Sequence, residues 1–375
     1  MSSIAIDQQE TFIRWKQMWS LTALYASIII GWIAYQQYQP KLLVQFKFTE
    51  FTFLIIVSQA IILSITPLIA GKLGDRYRFK SGTRLPIISS GISFAAMVFM
   101  AVAFTLLGNP GEIFKWILPV LIILWLIAMS IFTSPALSTI ETFFPVDKLP
   151  KAMAVLTITA NLLYALEPVI IDVIDFLGAP VTFITGGVLV FLSGYSMKKN
   201  AMSLFSKNNG REDAAPDSPI VFNSTRSSYG YIFILGVVLG LATTFLFNLF
   251  PEVLQLKLSG MLQHYSSKIV LVGILVVSGI LALPFSNVVN LYGMKRSFWF
   301  GAAITALSTA GIFGFNSSVV VLVMLIIFSI GFSVLSVSSL PLAIVKSNFD
   351  EKVFCVGIFF SGVAVPDGVV EILLY

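Results

Sequence analysis

The sequence predicts an all-α fold, a polytopic helical membrane protein. Three observations carry this. Of 375 residues, 57% are hydrophobic and only 11% charged, with a mean hydropathy of +0.93; a soluble domain holds about 25% charged residues. Apolar runs of about 20 residues, long enough to cross the hydrocarbon of a bilayer, recur along the whole chain. Short polar stretches rich in Lys and Arg alternate with stretches poor in them, the pattern of loops sorted to two sides of a membrane. Helices are the expected elements, because lipid offers no partner to open backbone. An outer-membrane barrel would need strand-like alternation, which these runs lack.

The N-terminus, MSSIAIDQQETFIRWKQ, is polar and has no short apolar core followed by a cleavage site, so the first span is expected to be kept. Eleven spans follow, at about 18–38, 51–72, 85–107, 116–139, 153–174, 178–197, 229–250, 267–288, 297–315, 317–340 and 353–373. The longest polar segment, 198–228, contains KNNGREDAAPDSP, a Pro/Gly/charge mixture typical of a linker. It divides the chain into an N-terminal six-helix bundle (1–197) and a C-terminal bundle of five helices (229–375).

With the N-terminus in the cytoplasm, all but five of the 23 Lys and Arg fall on the cytoplasmic side; the exceptions are Lys41, Lys47, Lys115, Lys257 and Lys268. The expectation is a multi-pass protein, in the cytoplasmic (inner) membrane if bacterial, with Tyr375 outside. The basic pI of about 9.2 then reflects topology, and nucleic acid is not an expected partner. One cysteine, Cys355, excludes an intrachain disulfide and a thiolate metal cluster. The lone His264 falls in an expected outer loop, and Asn223 and Asn316 start glycosylation-type triplets, the first on the cytoplasmic side. No cofactor is indicated.

The most distinctive stretch is Gly71 to Pro86, GKLGDRYRFKSGTRLP, a polar loop between spans two and three. It sets Lys72, Arg76, Arg78, Lys80 and Arg84 against one acid, Asp75. The acid is expected to accept hydrogen bonds at a neighbouring helix end and to pair with Arg76 or Arg84. That makes Gly71, Asp75, Arg76, Gly82 and Arg84 gating residues; the alternative is a solvated topology signal. The matching stretch in the second half, Ser286 to Arg296, keeps Gly293, Lys295 and Arg296 but has Asn290 where the acid would be. Such repeated halves suit a rocking transporter.

Six spans, a linker and this loop resemble the major facilitator superfamily. The spacing Asp75-Arg76-x-Arg78-x-Lys80-x-Gly82-x-Arg84-x-Pro86, with Gly71 and Leu73, is similar to that of the glycoside-pentoside-hexuronide cation symporters and the sucrose-type proton symporters. Gly31-Trp32 with Pro40 resembles the first span of sucrose-type carriers. Ser339-Leu340-Pro341-Leu342-Ala343, Gly357 and Val365-Pro366-Asp367 resemble spans ten to eleven, with Asp367 where the family usually has glutamine. The resemblance implies twelve spans, where eleven are read here, and transport of sugars driven by cations. The sodium-coupled branch uses acids in span two, and FTFLIIVSQAIILSITPLIAG has none, so protons are expected rather than sodium.

Charges inside hydrocarbon cost about 2.5–3.5 kcal/mol each on insertion scales, so the few present are candidates. Glu167, followed by Pro168, lies roughly 20 Å into span five at 1.5 Å per residue. Asn161 and Tyr164 precede it by one to two turns. Asp367 and Glu371, four apart, share a face of span eleven. Glu167 and Asp367 are the expected proton-coupling acids; the plainer reading is a rim acid near the outer surface for Glu167 and a wetted helix end for Asp367, and Glu371 is expected at the outer interface. Trp32, Tyr35, Gln36 and Gln37 form an aromatic-amide cluster that could stack on a sugar ring and bond its hydroxyls, or belong to the interfacial aromatic belt. Gln59, near the middle of span two, must find a partner or line water. Trp32, Tyr35, Gln36, Gln59, Asn161, Tyr164 and Asn248 are the expected substrate-binding residues, with Ser333 and Ser336 weaker. No Lys or Arg lies deep in a span, which argues against a strongly anionic substrate.

The function read from the sequence is a secondary active transporter moving a neutral sugar or similar small polar solute by alternating access, proton-coupled. The alternative is a non-transporting, carrier-like membrane protein, a sensor or a pigment or lipid assembly factor. No HExxH pair, GxSxG elbow or phosphate-cradling loop points to an enzyme.

Overall fold

The computed structural model describes residues 13–108, 116–207, 227–258 and 267–374. Most of the polar segment at 198–228, with Asn223, and also Lys115 and His264, lie outside these residues. The described residues form helices and short turns, and no strand.

Span one is α1 (Trp15–Gln45), span two α2 (Thr52–Ser81) and span three α3 (Leu85–Leu107). Span four is α4 (Ile117–Ser138), continued by the single turn α5 (Ile140–Phe143). Span five is broken into α6 (Leu149–Ala165) and α7 (Glu167–Leu177), bent by 59° at Leu166. Span six is α8 (Ala179–Lys207). Span seven runs through α9 (Tyr229–Thr244), a π-turn at Phe245–Leu249 and α10 (Phe250–Lys257). Spans eight to eleven are α11 (Ser267–Tyr292), α12 (Met294–Gly314), α13 (Ser318–Val345) and α14 (Lys352–Leu374). Ten of these elements are long and apolar enough to cross a membrane, or eleven counting the bent pair as one span.

The break in span five has a local cause. Pro168 brings no N–H, so the hydrogen-bond ladder loses a rung at the step into α7. The ladder resumes at Ile170, whose N–H reaches the Leu166 carbonyl.

Two seams join the first six spans to the last five. Along one, α2 and α14 run antiparallel in contact over most of their length. Gly71 lies against the Phe354 backbone, Gly357 against the Pro67 carbonyl and Gly368 against Ala60, while Ser361 Oγ donates to the Ser64 carbonyl at 2.5 Å. Along the other, α6 packs on α11 and α13, with Ala154, Ala282, Val289, Val334 and Val337 forming a small apolar cluster. The outer piece α7 packs instead on α1 and α8.

Inside the second group, α9 and α14 approach through small residues. A methyl group at Gly236 would overlap the Phe359 carbonyl, and one at Gly240 the Val363 carbonyl. Close backbone approach is what holds helices together where lipid removes the hydrophobic drive. Gly236→Val is therefore expected to push α9 off α14, at about 1–3 kcal/mol for overpacking. The check is the yield of monodisperse protein on size exclusion after extraction, which should fall several-fold. An unchanged yield and melting profile would show that the seam yields easily.

Candidate functional site

Polar groups gather at two levels of the bundle: at the end carrying the basic stretch, and in the half of the bundle away from it.

At the basic end, the Gly71–Pro86 stretch is helix rather than loop. α2 runs on to Ser81 and stops at Gly82, whose φ of 70° is the left-handed region glycine tolerates. A turn over Gly82–Arg84 leads into α3. Asp75 is buried and faces the start of α14, accepting from the Val353 N–H at 3.1 Å and the Phe354 N–H at 2.8 Å. A carboxylate there satisfies two orphan donors and meets the positive end of the helix dipole.

Arg84 does not take Asp75 as its hydrogen-bond partner. Its side chain is 1% exposed; it donates to the Ser138 carbonyl and hydroxyl at 2.9 and 2.8 Å and pairs with Glu141. Glu141 in turn binds Lys352 Nζ at 2.5 Å. Arg84 belongs to α3's start, Glu141 to α5 and Lys352 to α14, so one carboxylate ties span four to span three within its own group and to span eleven across the seam. Arg78 completes the end. It donates to the Phe349 carbonyl at 2.7 Å, and its guanidinium lies 4.0 Å from the centre of the Phe349 ring. Ser227, before α9, accepts from the Asn348 N–H at 2.8 Å and donates to Glu351 at 3.0 Å. Arg76 is exposed, away from this network. Sequence reasoning missed Glu141, Lys352 and Arg78; the only signal for Glu141 was an acid at the end of an apolar run.

In the half away from the basic end, Tyr35 Oη donates to Gln59 Oε1 at 2.7 Å, and Gln59 Nε2 donates to the Glu371 carboxylate at 3.1 and 3.4 Å. Asp367, one turn before Glu371, accepts from Asn248 Nδ2 at 2.9 Å. Asn248 sits in the π-turn of span seven, a departure from α-helix that often marks functional sites. Tyr164 packs on Phe247 with ring centres 5.0 Å apart and lies within electrostatic reach of Tyr25, Glu167 and Asp367. Asn161 donates to Ser278 Oγ at 2.8 Å across the α6–α11 seam. The set thus gathers groups from spans one, two, five, seven, eight and eleven.

Four expectations change. Glu167 is the first residue of α7, at the bend, rather than inside a continuous helix, and Lys268 lies within its electrostatic reach. Tyr35 does not present a free ring face, and Trp32 is a half-buried member of the same cluster. Tyr35 stacks on Trp125 at 4.5 Å and 3°, and Trp32 and Phe99 meet the same indole edge-on. Trp125 is 1% exposed, so this cluster is core packing. Gln36 is exposed and stands apart from the Tyr35–Gln59–Glu371 chain, while Gln37 binds Asp175 beside Lys41. Glu371 is half-buried and bonded across the seam. Ser333 and Ser336 are buried on α13.

Two sets of helices meeting along two seams, one end sealed by ion pairs and polar groups gathered within, define a helical membrane carrier. A family model for the Major Facilitator Superfamily matches residues 115–366. The chain belongs to the major facilitator superfamily, and its class is membrane transporter rather than enzyme. Two solved structures with the same fold are those of a bacterial homologue of the iron transporter ferroportin in the outward-facing state. The first is 13% identical with a TM-score of 0.65, covering 96% of this chain and 91% of that chain. The second, with soaked iron, is 14% identical with a TM-score of 0.64, covering 95% and 90%. At that identity the likeness shows the fold alone. No curated protein matches the chain.

Proposed function

We propose that this protein is a proton-coupled secondary transporter of a small, neutral polar solute such as a sugar, working by alternating access. One observation carries the reading: side chains from both groups of spans meet in the half away from the basic end, while the basic end is closed by Asp75 on α14 and by the Arg84–Glu141–Lys352 pairs. On the Lys/Arg count the closed end is the cytoplasmic one, so this state is read as one that does not face the cytoplasm. The resemblance of the Asp75–Pro86 spacing to sugar symporters supports the solute class. Protons are preferred to sodium because span two carries no acid in its apolar stretch.

Gln59, Asn161, Tyr164 and Asn248 offer donors and acceptors to hydroxyls, and Glu167 and Asp367 are the proposed proton carriers. Tyr35 acts by fixing the wall, since it is buried and stacked on Trp125, and Trp32 braces the same cluster edge-on. A cation is the second reading, favoured by the carboxylates Glu167, Asp367 and Glu371 and by the printed names of the solved neighbours. Against a metal ion, no three His, Cys, Asp or Glu among the described residues gather closely enough to hold one.

The test is counterflow of radiolabelled sucrose, maltose and monosaccharides in proteoliposomes, with and without an inward proton gradient. Saturable exchange stimulated by the gradient supports the reading; no exchange of any sugar by folded protein favours a cation solute or the non-transporting alternative. Glu167→Gln is expected to lose at least ten-fold of gradient-driven uptake while keeping counterflow. Retained uphill uptake would remove Glu167 from the coupling role.

A further inference from the structure

We infer that Glu371 and Gln59 form a protonation-controlled clasp between spans two and eleven, making Glu371 the acid through which a proton acts on the seam. This deepens the proton-coupled reading above and rests on it. The geometry carries the inference. The carboxylate of α14 accepts both contacts from one amide of α2, and that amide is oriented by Tyr35, whose hydroxyl fills Oε1 and leaves Nε2 to face Glu371. Tyr35 is itself held by stacking on the buried Trp125. Gln59 therefore has one orientation in which the chain Tyr35–Gln59–Glu371 closes.

The surroundings place the charge change here. Asp367 lies one helical turn away on the same face and is within electrostatic reach of Glu371, so two carboxylates compete to be ionised. Tyr35 on α1 is within electrostatic reach of Glu371, and Tyr164 on α6 is within reach of Asp367 and of Glu167 at the start of α7. The other groups brought by neighbouring helices at this level are neutral: Gln59 from α2 and Asn248 from the π-turn. Neither α4 nor α13 holds a titratable side chain. Glu50 and Glu252, at the far ends of spans two and seven, are exposed.

An ionised Glu371 in the closed seam gives up hydration and stands against the Asp367 carboxylate, and the bonds from Gln59 offset only part of that cost. A protonated Glu371 keeps its place as acceptor from Gln59 without the charge. The clasp is then closed at low pH and loosened at high pH, and the expected change in the closed-to-open ratio is about five-fold.

The experiment measures the separation of spin labels at Leu54→Cys and Leu373→Cys, both exposed at the far ends of α2 and α14. It uses full-length protein with Cys355→Ala in liposomes, from about pH 5 to about pH 8. The expected result is a longer-distance population that grows as pH rises. Glu371→Gln should stay at the shorter distance at every pH, and Gln59→Leu, which removes the partner, should show the longer-distance population at every pH. A pH-independent distance in the parent chain, or a Glu371→Gln variant that still follows the parent's pH profile, overturns the clasp. Counterflow on the same vesicles separates the two readings: a pH-driven distance change abolished by both variants supports the clasp even where no sugar exchanges.

Discussion

Glu141→Ala is expected to cost about 3–5 kcal/mol, the largest stability effect of any single change at the basic end. Glu141 is the only carboxylate that Arg84 and Lys352 are seen to share among the described residues, and the Arg84 side chain is 1% exposed. Removing the acid takes away the carboxylate paired with a guanidinium shut away from water, whose bonds to the Ser138 carbonyl and hydroxyl do not balance its charge. The melting midpoint in detergent should fall clearly, and transport should be lost. A diagnostic control replaces all three members, Arg84→Met with Glu141→Leu and Lys352→Met. Buried ion triads exchanged for apolar residues are often neutral in stability, so the midpoint should largely return while transport does not. If the triple variant melts as low as Glu141→Ala, the damage is a packing defect rather than an unpaired charge.

Most of the spans were legible because hydropathy and length suffice: an apolar run of about 20 residues has few other fates. What the sequence could not show is which polar group meets which. Arg84 and Glu141 are 57 residues apart and Gln59 and Glu371 are 312 apart, and neither distance leaves a local pattern. The basic stretch was misread as a loop for a physical reason. Charged residues there look solvated, yet α2 extends past the apolar run and buries Asp75 and Arg78 on one face while Arg76 and Lys80 remain exposed. The place of Tyr35 could not be read from span one alone, because the ring that stacks on it, Trp125, belongs to span four. Pro168 did announce a disturbance in span five, but the size of the bend depends on α7 finding α1 and α8 to pack against.

Asp75→Asn is expected to lower transport at least ten-fold while leaving the protein inserted and folded. The carboxylate accepts two backbone N–H groups at the start of α14 with a full charge against the helix dipole. Asparagine keeps one oxygen and turns an amide donor toward the second N–H, which loses one bond and the charge. Hydrogen bonds to charged groups are worth about 1.5–3 kcal/mol, so the closed basic end should lose at least ten-fold in population. The chain carries its own reporter. Cys355, its single cysteine, follows Phe354 directly and is fully buried, with Asp75, Ser227 and Glu351 nearby. Opening this end lets a membrane-impermeant maleimide reach the thiol from the basic side. Labelling at fixed pH should therefore be at least ten-fold faster in Asp75→Asn than in the native chain, in step with the loss of counterflow. Fast labelling with intact counterflow would separate the seal from transport, and slow labelling with lost counterflow would mean that Asp75 acts in some step other than holding this end shut.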